Sequence, residues 1–496
     1  MMNNPIFIWI LFLVNLAIIG LALLFTYESI REQEPRAPKF GAAGAAFHIM
    51  LGIFILSWPA ARIPIAWLLG SGLAVQFLFL IPYKGNRAKA KSAADYLKGN
   101  NFERADERDI VFSRNAMIPG SEQYEAYYRA HPDKKEYDDR RRKRGGPLGK
   151  TGSINNCYRP NLSMLLSSIE FPTMVGEKAY MDPESVAKLN PYISKEDILT
   201  KADMDPAKAT QIVKKWAKHL GADLVGVCKV DPRWFYSHRG RIYYNDWENW
   251  GKEISDPLPY AVVIATEMDH DMISSAPHTP TMVESGYNYA RGAYITTILS
   301  RWFGAMGYKA IAQHSRHYDA VEVPMAIDAG LGELGRFGYL IADKFGPRVR
   351  LFSVETDMPL VPDKPIDIGV EKFCEACVKC GESCPSKSIP IEKEKTVDRG
   401  IERWKLNEET CFEYWGKIGT DCCVCMAICP YSRPNRSIHR FVKLMLQHSY
   451  LARVIFPHID NILYGRLWKP RKAVDWLDYP KGPSSKGVSN TALEQD

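Results

Sequence analysis

The sequence predicts a mixed α/β domain that follows three membrane-spanning helices and carries a small cysteine-rich module near its C-terminal end. Three observations support this fold class: three long apolar stretches within the first 83 residues, alternating helix and strand patterns between residues 207 and 357, and two runs of regularly spaced cysteines between Cys374 and Cys429. With 496 residues and a formal net charge of +7, the chain is long enough for two or three domains and only mildly basic.

The N-terminal apolar stretches predict a membrane anchor over residues 1–91. Residues 5–25 are interrupted by Asn15 alone, and residues 42–60 and 63–83 form two further stretches. Since about 20 apolar residues in a helix cross the hydrocarbon core, each stretch predicts a transmembrane helix. The first stretch is too long for the core of a signal peptide, and it lacks a basic start and a small-residue cleavage site.

Basic residues predict the orientation of these helices. They are dense after the first and third stretches and sparse between the second and third. They are Arg31, Arg36 and Lys39 in the first loop, Arg62 in the turn, and Lys84, Arg87, Lys89 and Lys91 after the third stretch. Because basic loops stay on the cytoplasmic side, we expect a multi-pass protein of the cell membrane with its N-terminus outside and its large domain in the cytoplasm. The sequence shows no twin-arginine signal, which agrees with this orientation.

His48 is the ionisable side chain within the predicted spans. Two interpretations stay open for it. It is an interfacial histidine near the start of its helix, or it contacts a haem or a quinone.

Residues 92–190 are rich in turns and charge, and they predict irregular structure laid over a core. The basic run from Arg140 to Arg144 follows an acidic stretch and precedes Gly145, Gly146 and Pro147. Such a run is typical of nucleic-acid or anionic-lipid binding, but its neighbours favour a solvated loop.

Helices and strands then alternate. Apolar residues at helical spacing predict a helix over 207–220, and Tyr287–Met306 predicts a longer one. Strands are expected in ADLVGVCKV, near 259–268, in KAIAQHS and in RVRLFSVETD. Cys228 in the first of these is interpreted as a buried strand residue. This alternation predicts a mixed α/β layer structure.

The cysteine runs have the spacing of bacterial ferredoxins with two [4Fe-4S] clusters. The first reads CEACVKCGESCP from Cys374, and the second reads CCVCMAICP from Cys422, with Cys411 upstream. In that arrangement the fourth cysteine of each run binds the other cluster. The predicted ligand sets are Cys374, Cys377, Cys380 and Cys429 for one cluster, and Cys384, Cys411, Cys422 and Cys425 for the other.

Zinc binding and disulfide formation are less favoured for these cysteines. Zinc sites usually use two CxxC pairs, and cluster assembly needs reduced thiols, which argues against disulfides. Whether Cys411 or Cys423 completes the second cluster stays open, although Cys422 rather than Cys423 keeps the two-residue spacing to Cys425.

The segment before the first run reads PMAIDAGLGELGRFGYLIADKFGPRVRLFSVETDMPLVPDKPIDIGVEKFCEACVKC, and upstream segments include DERDIVFSR, SEQYEAYYRAHPDKKEYDDRRR and KKWAKHLGADLVGVCKVDPRWFYSHRG. In this order the segments, from about 105 to 475, resemble the corrinoid-dependent reductive dehalogenases. GLGELGR matches GxGxxG, but alone it is a weak signal, because it lacks the preceding strand, the following helix and the later acidic residue of a nicotinamide site.

The resemblance implies a nitroreductase-like core over 92–365 that holds a base-off corrinoid, and a ferredoxin-like module over 366–436. Residues 437–480 would then be an extension that packs on the core, and 481–496 a disordered tail. No DxHxxG motif is present, so the resemblance implies no histidine ligand to cobalt, which leaves the metal open for reduction to Co(I).

The resemblance also implies a tyrosine as proton donor with a basic neighbour. The matching positions are Tyr289 and Arg348, with Arg350 and Lys344 as rivals of Arg348. Without the resemblance, Tyr289 is interpreted as a core aromatic residue and Arg348 as part of a structural ion pair. A cation beside a phenol favours the phenolate, which eases proton delivery to a carbanion-like product.

Two features depart from the family. Many members have an asparagine near the halide pocket, where this sequence has His314, Ser315 and His317. Members that act in respiration usually dock on a separate small anchor, whereas here three spans precede the core. These departures leave the substrate class open.

The sequence thus predicts a membrane-anchored reductive dehalogenase that acts on a small organohalide, with a quinol or reduced ferredoxin as electron donor and no nucleic-acid partner. An epoxyqueuosine-reductase-like corrinoid enzyme acting on tRNA is one alternative. A non-catalytic membrane ferredoxin that passes electrons between partners is another.

Overall fold

The computed structural model describes residues 3–80, 90–99, 101–144, 159–176, 179–189, 192, 194–241, 247–255 and 257–477. The predicted tail, Cys157, the glycine-rich end of the basic run, the end of the third span and three of the basic residues after it lie outside these residues. The chain divides into two compact units. The first unit comprises 1–88, 368–377 and 434–468, and the second comprises 89–367, 378–433 and 469–496.

The helices in chain order are α1 Pro5–Arg31, α2 Ala37–Ser57, α3 Arg62–Leu80, α4 Val111–Ala116, α5 Glu122–Ala130, α6 Pro132–Arg144, α7 Arg159–Gly176, α8 Pro183–Leu189, α9 Lys195–Leu199, α10 Pro206–His219, α11 His270–Ser274, α12 Pro280–Ala305, α13 Glu322–Asp328, α14 Val370–Cys377, α15 Lys379–Glu382, α16 Glu408–Ile418, α17 Val424–Ile428, α18 Ser437–His448 and α19 Tyr450–Tyr464. The strands are β1 Tyr180–Met181, β2 Leu224–Lys229, β3 Tyr260–Glu267, β4 Ala310–Gln313, β5 Gly332–Leu334, β6 Leu340–Ala342, β7 Val349–Thr356, β8 Thr396–Asp398 and β9 Ile401–Arg403.

The first unit contains three helices, α1 to α3, that are long and apolar enough to cross a membrane. A polar pair joins α1 and α2: Asn15 Nδ2 donates to the His48 carbonyl at 2.8 Å, and His48 Nδ1 donates to Asn15 Oδ1 at 2.8 Å. His48 lies eleven residues inside α2, so its predicted place near a helix start is wrong. Hydrogen bonds of this kind between helices replace the water that a membrane lacks.

Ion pairs tie α18 to the end of α1 within the same unit. The His439 ring contacts Glu32 at 3.0 Å, and Arg436 pairs with Glu28. Glu32 is 1% exposed, so a charge at this position requires a partner. The predicted extension over 437–480 is divided: residues 434–468 belong to this unit and the rest to the second.

The core of the second unit is an antiparallel sheet with the strand order β1-β4-β7-β3-β2. Successive residues of β3 alternate between two buried faces, since Val262 and Ile264 pack with Ile295 of α12, whereas Val263 packs with Met325 of α13. Both faces are therefore covered by helices, which confirms the mixed α/β prediction. The predicted helix over 207–220 is α10, and the four predicted strands are β2, β3, β4 and β7.

Helix α12 begins seven residues before its predicted start at Tyr287. Proline at the first turn after Thr279 sets that start, because its missing N–H costs nothing there. Gly292 lets the helix approach β7 closely, since a Cβ at this position would lie 2.3 Å from the Phe352 ring. This contact fixes α12 along the central strand.

The prediction of irregular structure over 92–190 is wrong, because α4 to α8 lie there. The solvated loop predicted for the basic run is also wrong. Most of that run ends α6, where Arg141 is 3% exposed and pairs with Asp138 and Glu409. Opposite charges on the same helix face and on α16 satisfy the buried guanidinium.

Candidate functional site

The second set of predicted cluster cysteines surrounds one pocket of the second unit. The pocket encloses about 580 Å³, part of it open to solvent. Its walls include Cys384, Cys411, Cys422, Cys423, Cys425, Tyr339, Tyr414, Trp415, Asp421 and Arg350. The structure therefore brings together all four cysteines that the spacing assigned to this cluster.

The neighbouring cysteines Cys422 and Cys423 differ in their surroundings. Both have positive φ, 63° and 57°, so the chain turns sharply at this point. Apart from the adjacent Cys423, the ionisable groups that interact electrostatically with Cys422 are the thiols of Cys411 and Cys384. The ionisable groups that interact most strongly with Cys423 are Asp421 and Arg350. This separation supports Cys411 and Cys422 as the ligands and places Cys423 on the Arg350 side.

Burial keeps the thiols of Cys411, Cys422, Cys423 and Cys425 protonated in the absence of a bound group, because it raises their pKa values. It raises the pKa of Cys411 to about 12 and raises the pKa of Cys425 well above its usual value, since a buried thiolate loses its hydration. In the described part of the chain, no three His, Cys, Asp or Glu side chains converge on a point that could hold a single metal ion.

The cysteines of the other predicted set are buried. Cys374 and Cys377 lie on α14 in the first unit, whereas Cys380 and Cys429 belong to the second unit. Their grouping around one cluster stays a prediction.

Tyr289 lies beside Arg350 rather than Arg348. The Arg350 guanidinium carbon is 5.1 Å from the centre of the Tyr289 ring. Burial opposes the charged form of Arg350, but the neighbouring acidic groups, Tyr289 first among them, raise its pKa. The guanidinium therefore stays charged beside the phenol.

Arg348 has other partners. Its Nε donates to the Ser432 carbonyl at 2.6 Å, and its Nη1 pairs with Glu267 Oε1 at 3.1 Å. The rival Lys344 is exposed. Among the three basic residues that the sequence offered, the structure thus favours Arg350 as the neighbour of Tyr289.

Three polar residues that the sequence analysis missed hold Arg350 in place. Ser285 Oγ accepts from Arg350 Nη2 at 2.6 Å, and Asp421 lies 3.4 Å from the same nitrogen. Asp421 in turn accepts from Ser285 at 2.5 Å and from Thr281 at 2.6 Å. Thr281, Ser285 and Tyr289 are spaced four residues apart, which puts them on one face of α12.

The segment with His314, Ser315 and His317 forms a tight turn after β4. His314 N donates to the His317 carbonyl at 2.7 Å, and His317 N donates to the His314 carbonyl at 2.9 Å. Ser315 lies within the turn. Burial lowers the pKa of His314 to about 3 and also lowers the pKa of His317, so both rings are neutral.

The α/β core thus supports a polar site, Tyr289 with Arg350, next to a thiol-lined pocket. No protein-family model matches the sequence. The tetrachloroethene reductive dehalogenase of Sulfurospirillum multivorans is 33% identical over 293 residues, 53% of this chain and 58% of that protein. A tetrachloroethene reductive dehalogenase of Desulfitobacterium hafniense is 32% identical over 282 residues, 48% of this chain and 51% of that protein. The chain thus spans little more than half the length of the curated relatives it matches.

Solved structures show the same fold. The catabolic reductive dehalogenase NpRdhA aligns with a TM-score of 0.56 at 22% identity, covering 80% of this chain and 54% of that one. A reductive dehalogenase described as carrying out B12-dependent dehalogenation aligns at 0.54 and 21% identity, covering 80% and 55%. An epoxyqueuosine reductase of Lactococcus garvieae is 28% identical over 128 residues, only 23% of this chain. The chain is thus similar in sequence to reductive dehalogenases over about half of its length, and it shares the fold of their solved structures.

Proposed function

We propose that this protein is a membrane-anchored reductive dehalogenase, an oxidoreductase that replaces the halogen of a small organohalide by hydrogen. The observation that carries the proposal is the shared pocket, whose walls include four predicted cluster thiols and Arg350. An electron carrier bound by these thiols would lie next to the side chain that covers Tyr289. Electron supply and proton supply would then meet at one place.

The cysteines of the second unit suit an iron–sulfur cluster in a ferredoxin-like module. The thiols line the wall of a pocket instead of converging on one point, which suits a group of several atoms. Bound iron would hold these buried thiols as thiolates. We assign Cys384, Cys411, Cys422 and Cys425 to one [4Fe-4S] cluster, and Cys374, Cys377, Cys380 and Cys429 to the other.

The polar surface around Tyr289 suits a corrinoid in a nitroreductase-like core. In the described residues, Thr266 Oγ1 and Arg350 Nε are buried without a hydrogen-bond partner, and the two residues lie directly opposite each other on β3 and β7. Buried polar atoms without partners indicate a missing group. A base-off corrinoid bound there would supply the low-potential two-electron chemistry at the carbon–halogen bond. Thr266, Tyr289 and Arg350 would border it.

The protein's own residues would complete the reaction, in which R–X, two electrons and one proton give R–H and X⁻. The Tyr289 hydroxyl donates the proton to the substrate carbon. Arg350 stabilises the phenolate that remains until solvent returns the proton. Ser285 and Asp421 hold Arg350 over the ring. Arg348 has a supporting role, because it fixes the backbone at Ser432, three residues after Cys429.

The three apolar helices support a place in the cell membrane, and the basic loops support a cytoplasmic catalytic domain. Cys374 and Cys377 belong to the same compact unit as these helices. We propose a quinol or a reduced ferredoxin as the electron donor to the two clusters. The hydrogen bond to Asn15 gives His48 a structural role between α1 and α2. The proposed function therefore assigns His48 no contact with a quinone.

The metal content of the purified protein tests the proposal. We expect about eight irons and one cobalt per chain, with corrinoid absorbance, after expression in a host supplied with corrinoid. Iron without cobalt under these conditions would contradict it and leave the electron-transfer subunit as the better description. A matched Cys423→Ser variant controls for general damage to the module.

A further inference from the structure

The outer face of α19 is apolar. Helical spacing puts the exposed side chains on one side of the helix, and the large apolar ones are 36% to 57% exposed: Leu451, Val454, Ile459 and Ile462. His458 lies among them and is also exposed. Single exposed apolar side chains are common in proteins, but a continuous face of them indicates a surface that is covered in the working protein.

The inner face of α19 carries a charge instead. Arg453 is 6% exposed, and its guanidinium donates to the carbonyls of Leu446 and Gln447 at 2.7 and 3.0 Å. A helix on the surface of a water-soluble protein has the opposite arrangement, with apolar residues inside and charged residues outside. The arrangement in α19 is typical of a helix whose outer face contacts lipid.

Helix α19 lies beside α1, at the depth where the hydrocarbon core of a membrane ends. The ring centres of Phe25 and Tyr464 are 6.3 Å apart, and those of Phe79 and Phe456 are 5.2 Å apart. Phe25 is twenty residues after the start of α1, which corresponds to about 30 Å, the thickness of that core. Because α1 continues for six more residues, or about 9 Å, α19 contacts its side and not its end.

Basic residues surround this end of the unit. The exposed ones lie at the end of α1, at the start of α2, on α18 and just after α19: Arg31, Arg36, Lys39, Arg440 and Arg466. A Cβ at Gly465 would lie 3.6 Å from the Arg36 side chain, so the start of α2 and the end of α19 are adjacent. In the part of this unit that the structure describes, every Asp and Glu is at least partly buried. This charge distribution favours anionic lipid headgroups.

From these observations we infer that α18 and α19 form a membrane-binding surface that lies in the interface of a bilayer containing anionic lipid. The apolar face of α19, with Phe441 and Leu444 on the exposed side of α18, enters the boundary between headgroups and acyl chains. The five basic side chains stay at the level of the phosphates. The inference depends on the proposed membrane spans and not on the proposed reaction.

This surface also positions α14. Helix α14 packs against α19 within the same unit. A Cβ at Gly369, directly before α14, would lie 2.5 Å from Arg453 on the inner face of α19. Since α14 carries Cys374 and Cys377, contact of α19 with lipid keeps these two proposed cluster ligands near the membrane surface.

Fluorescence quenching in the full-length holoprotein tests the inference. A fluorescent amino acid, inserted at Ile462 by stop-codon suppression, leaves the cysteines unmodified. In nanodiscs of phosphatidylcholine and phosphatidylglycerol, we expect lipids brominated on their acyl chains to lower its emission about threefold, and aqueous iodide to have little effect. The same label at Leu73, exposed on α3, is the control for lipid contact. The label at Ile391, similarly exposed but in the second unit, is the control for water contact.

Two results at Ile462 would overturn the inference. Quenching by iodide without quenching by brominated lipid, as expected at Ile391, would show that α19 faces water. Protection from both quenchers would show that protein, such as a second copy of this chain, covers the face. If Leu73 is insensitive to brominated lipid as well, the membrane anchor itself fails. If Ile462 alone is insensitive, the spans stand and only this inference fails, and halide release by the same samples tests the proposed reaction separately.

The preference for anionic lipid is tested by brominating one lipid at a time. At equal content, brominated phosphatidylglycerol should quench the label at Ile462 about twofold more strongly than brominated phosphatidylcholine, because the basic side chains attract its headgroup. Arg440→Gln combined with Arg466→Gln should remove this difference. Arg129→Gln, at an exposed position in the second unit, is the control and should leave the difference unchanged. Equal quenching by the two lipids in the unaltered protein would overturn the anionic preference.

Discussion

Arg350 of β7 lies with its guanidinium carbon 5.1 Å from the centre of the Tyr289 ring of α12. Ser285 and Asp421 contact the same guanidinium, at 2.6 and 3.4 Å. Asp421 directly precedes Cys422, a predicted cluster ligand. One short chain of contacts thus connects the cysteine module to the proposed proton donor.

Arg350→Gln should lower dehalogenation by roughly 100-fold or more, because it removes the cation that stabilises the phenolate of Tyr289. Steady-state halide release measures the effect, and Lys344→Gln at an exposed position is the control. Full activity in Arg350→Gln would return the role to Arg348.

Asp421→Asn should lower turnover by about tenfold, equivalent to ~1.4 kcal/mol in the barrier, because the neutral amide holds Arg350 less firmly. Ser285→Ala should have a smaller effect in the same direction. Iron content should be unchanged in both variants. A loss of iron from Asp421→Asn would instead show that the residue supports the cluster itself.

Cys411→Ser should remove one cluster, about four of eight irons, whereas Cys423→Ser should retain both. We expect this difference because Cys411 lies near Cys422 and Cys384, two other proposed ligands, whereas Cys423 lies near Asp421 and Arg350. Iron analysis and electron paramagnetic resonance of the reduced proteins distinguish the two variants. The opposite result would assign Cys423 as the fourth ligand.

Stability should fall as pH rises from about 4.5 to about 8. Burial raises the pKa of Glu322 and of Glu355 to about 8. In this range the folded protein retains protons that the unfolded chain has lost, so each group costs up to ~1.4 kcal/mol per pH unit. Glu322→Gln should make the dependence of the melting temperature on pH shallower. An unchanged slope would show that Glu322 is ionised in the folded state.

The alternation of elements was sufficient to predict the α/β core, and the cysteine spacing was sufficient to predict that Cys384, Cys411, Cys422 and Cys425 lie close together, as their shared pocket shows. Side-chain partners across elements were not predictable in this way. Arg348 and Arg350 are two residues apart, so strand alternation alone would put both side chains on the same face. Only the position of α12 along β7 shows that Arg350, and not Arg348, is the neighbour of Tyr289. The sequence analysis did not identify Thr281 and Ser285 as neighbours of Tyr289, because the predicted helix started only at Tyr287. The Thr279–Pro280 start signal would have revealed their four-residue spacing with Tyr289.

Errors in the charged segments have a related cause. A run of arginines is typical of a solvated loop unless acidic partners are near, and Glu409, which pairs with Arg141, is distant in sequence. The same holds for Glu32 and His439, which join the first and last parts of one compact unit. Pairs of this kind depend on the tertiary fold and have no local pattern.

The central claim is that this chain reduces organohalides with Tyr289 as proton donor. Halide release by the corrinoid- and iron-loaded protein, compared between the unaltered chain and Tyr289→Phe, tests it most directly. We predict steady release by the unaltered protein and a loss of at least 100-fold in the variant, with iron, cobalt and corrinoid absorbance unchanged. Equal release by both proteins would contradict the role of Tyr289, and no release by the fully loaded unaltered protein from any organohalide would contradict the proposed function.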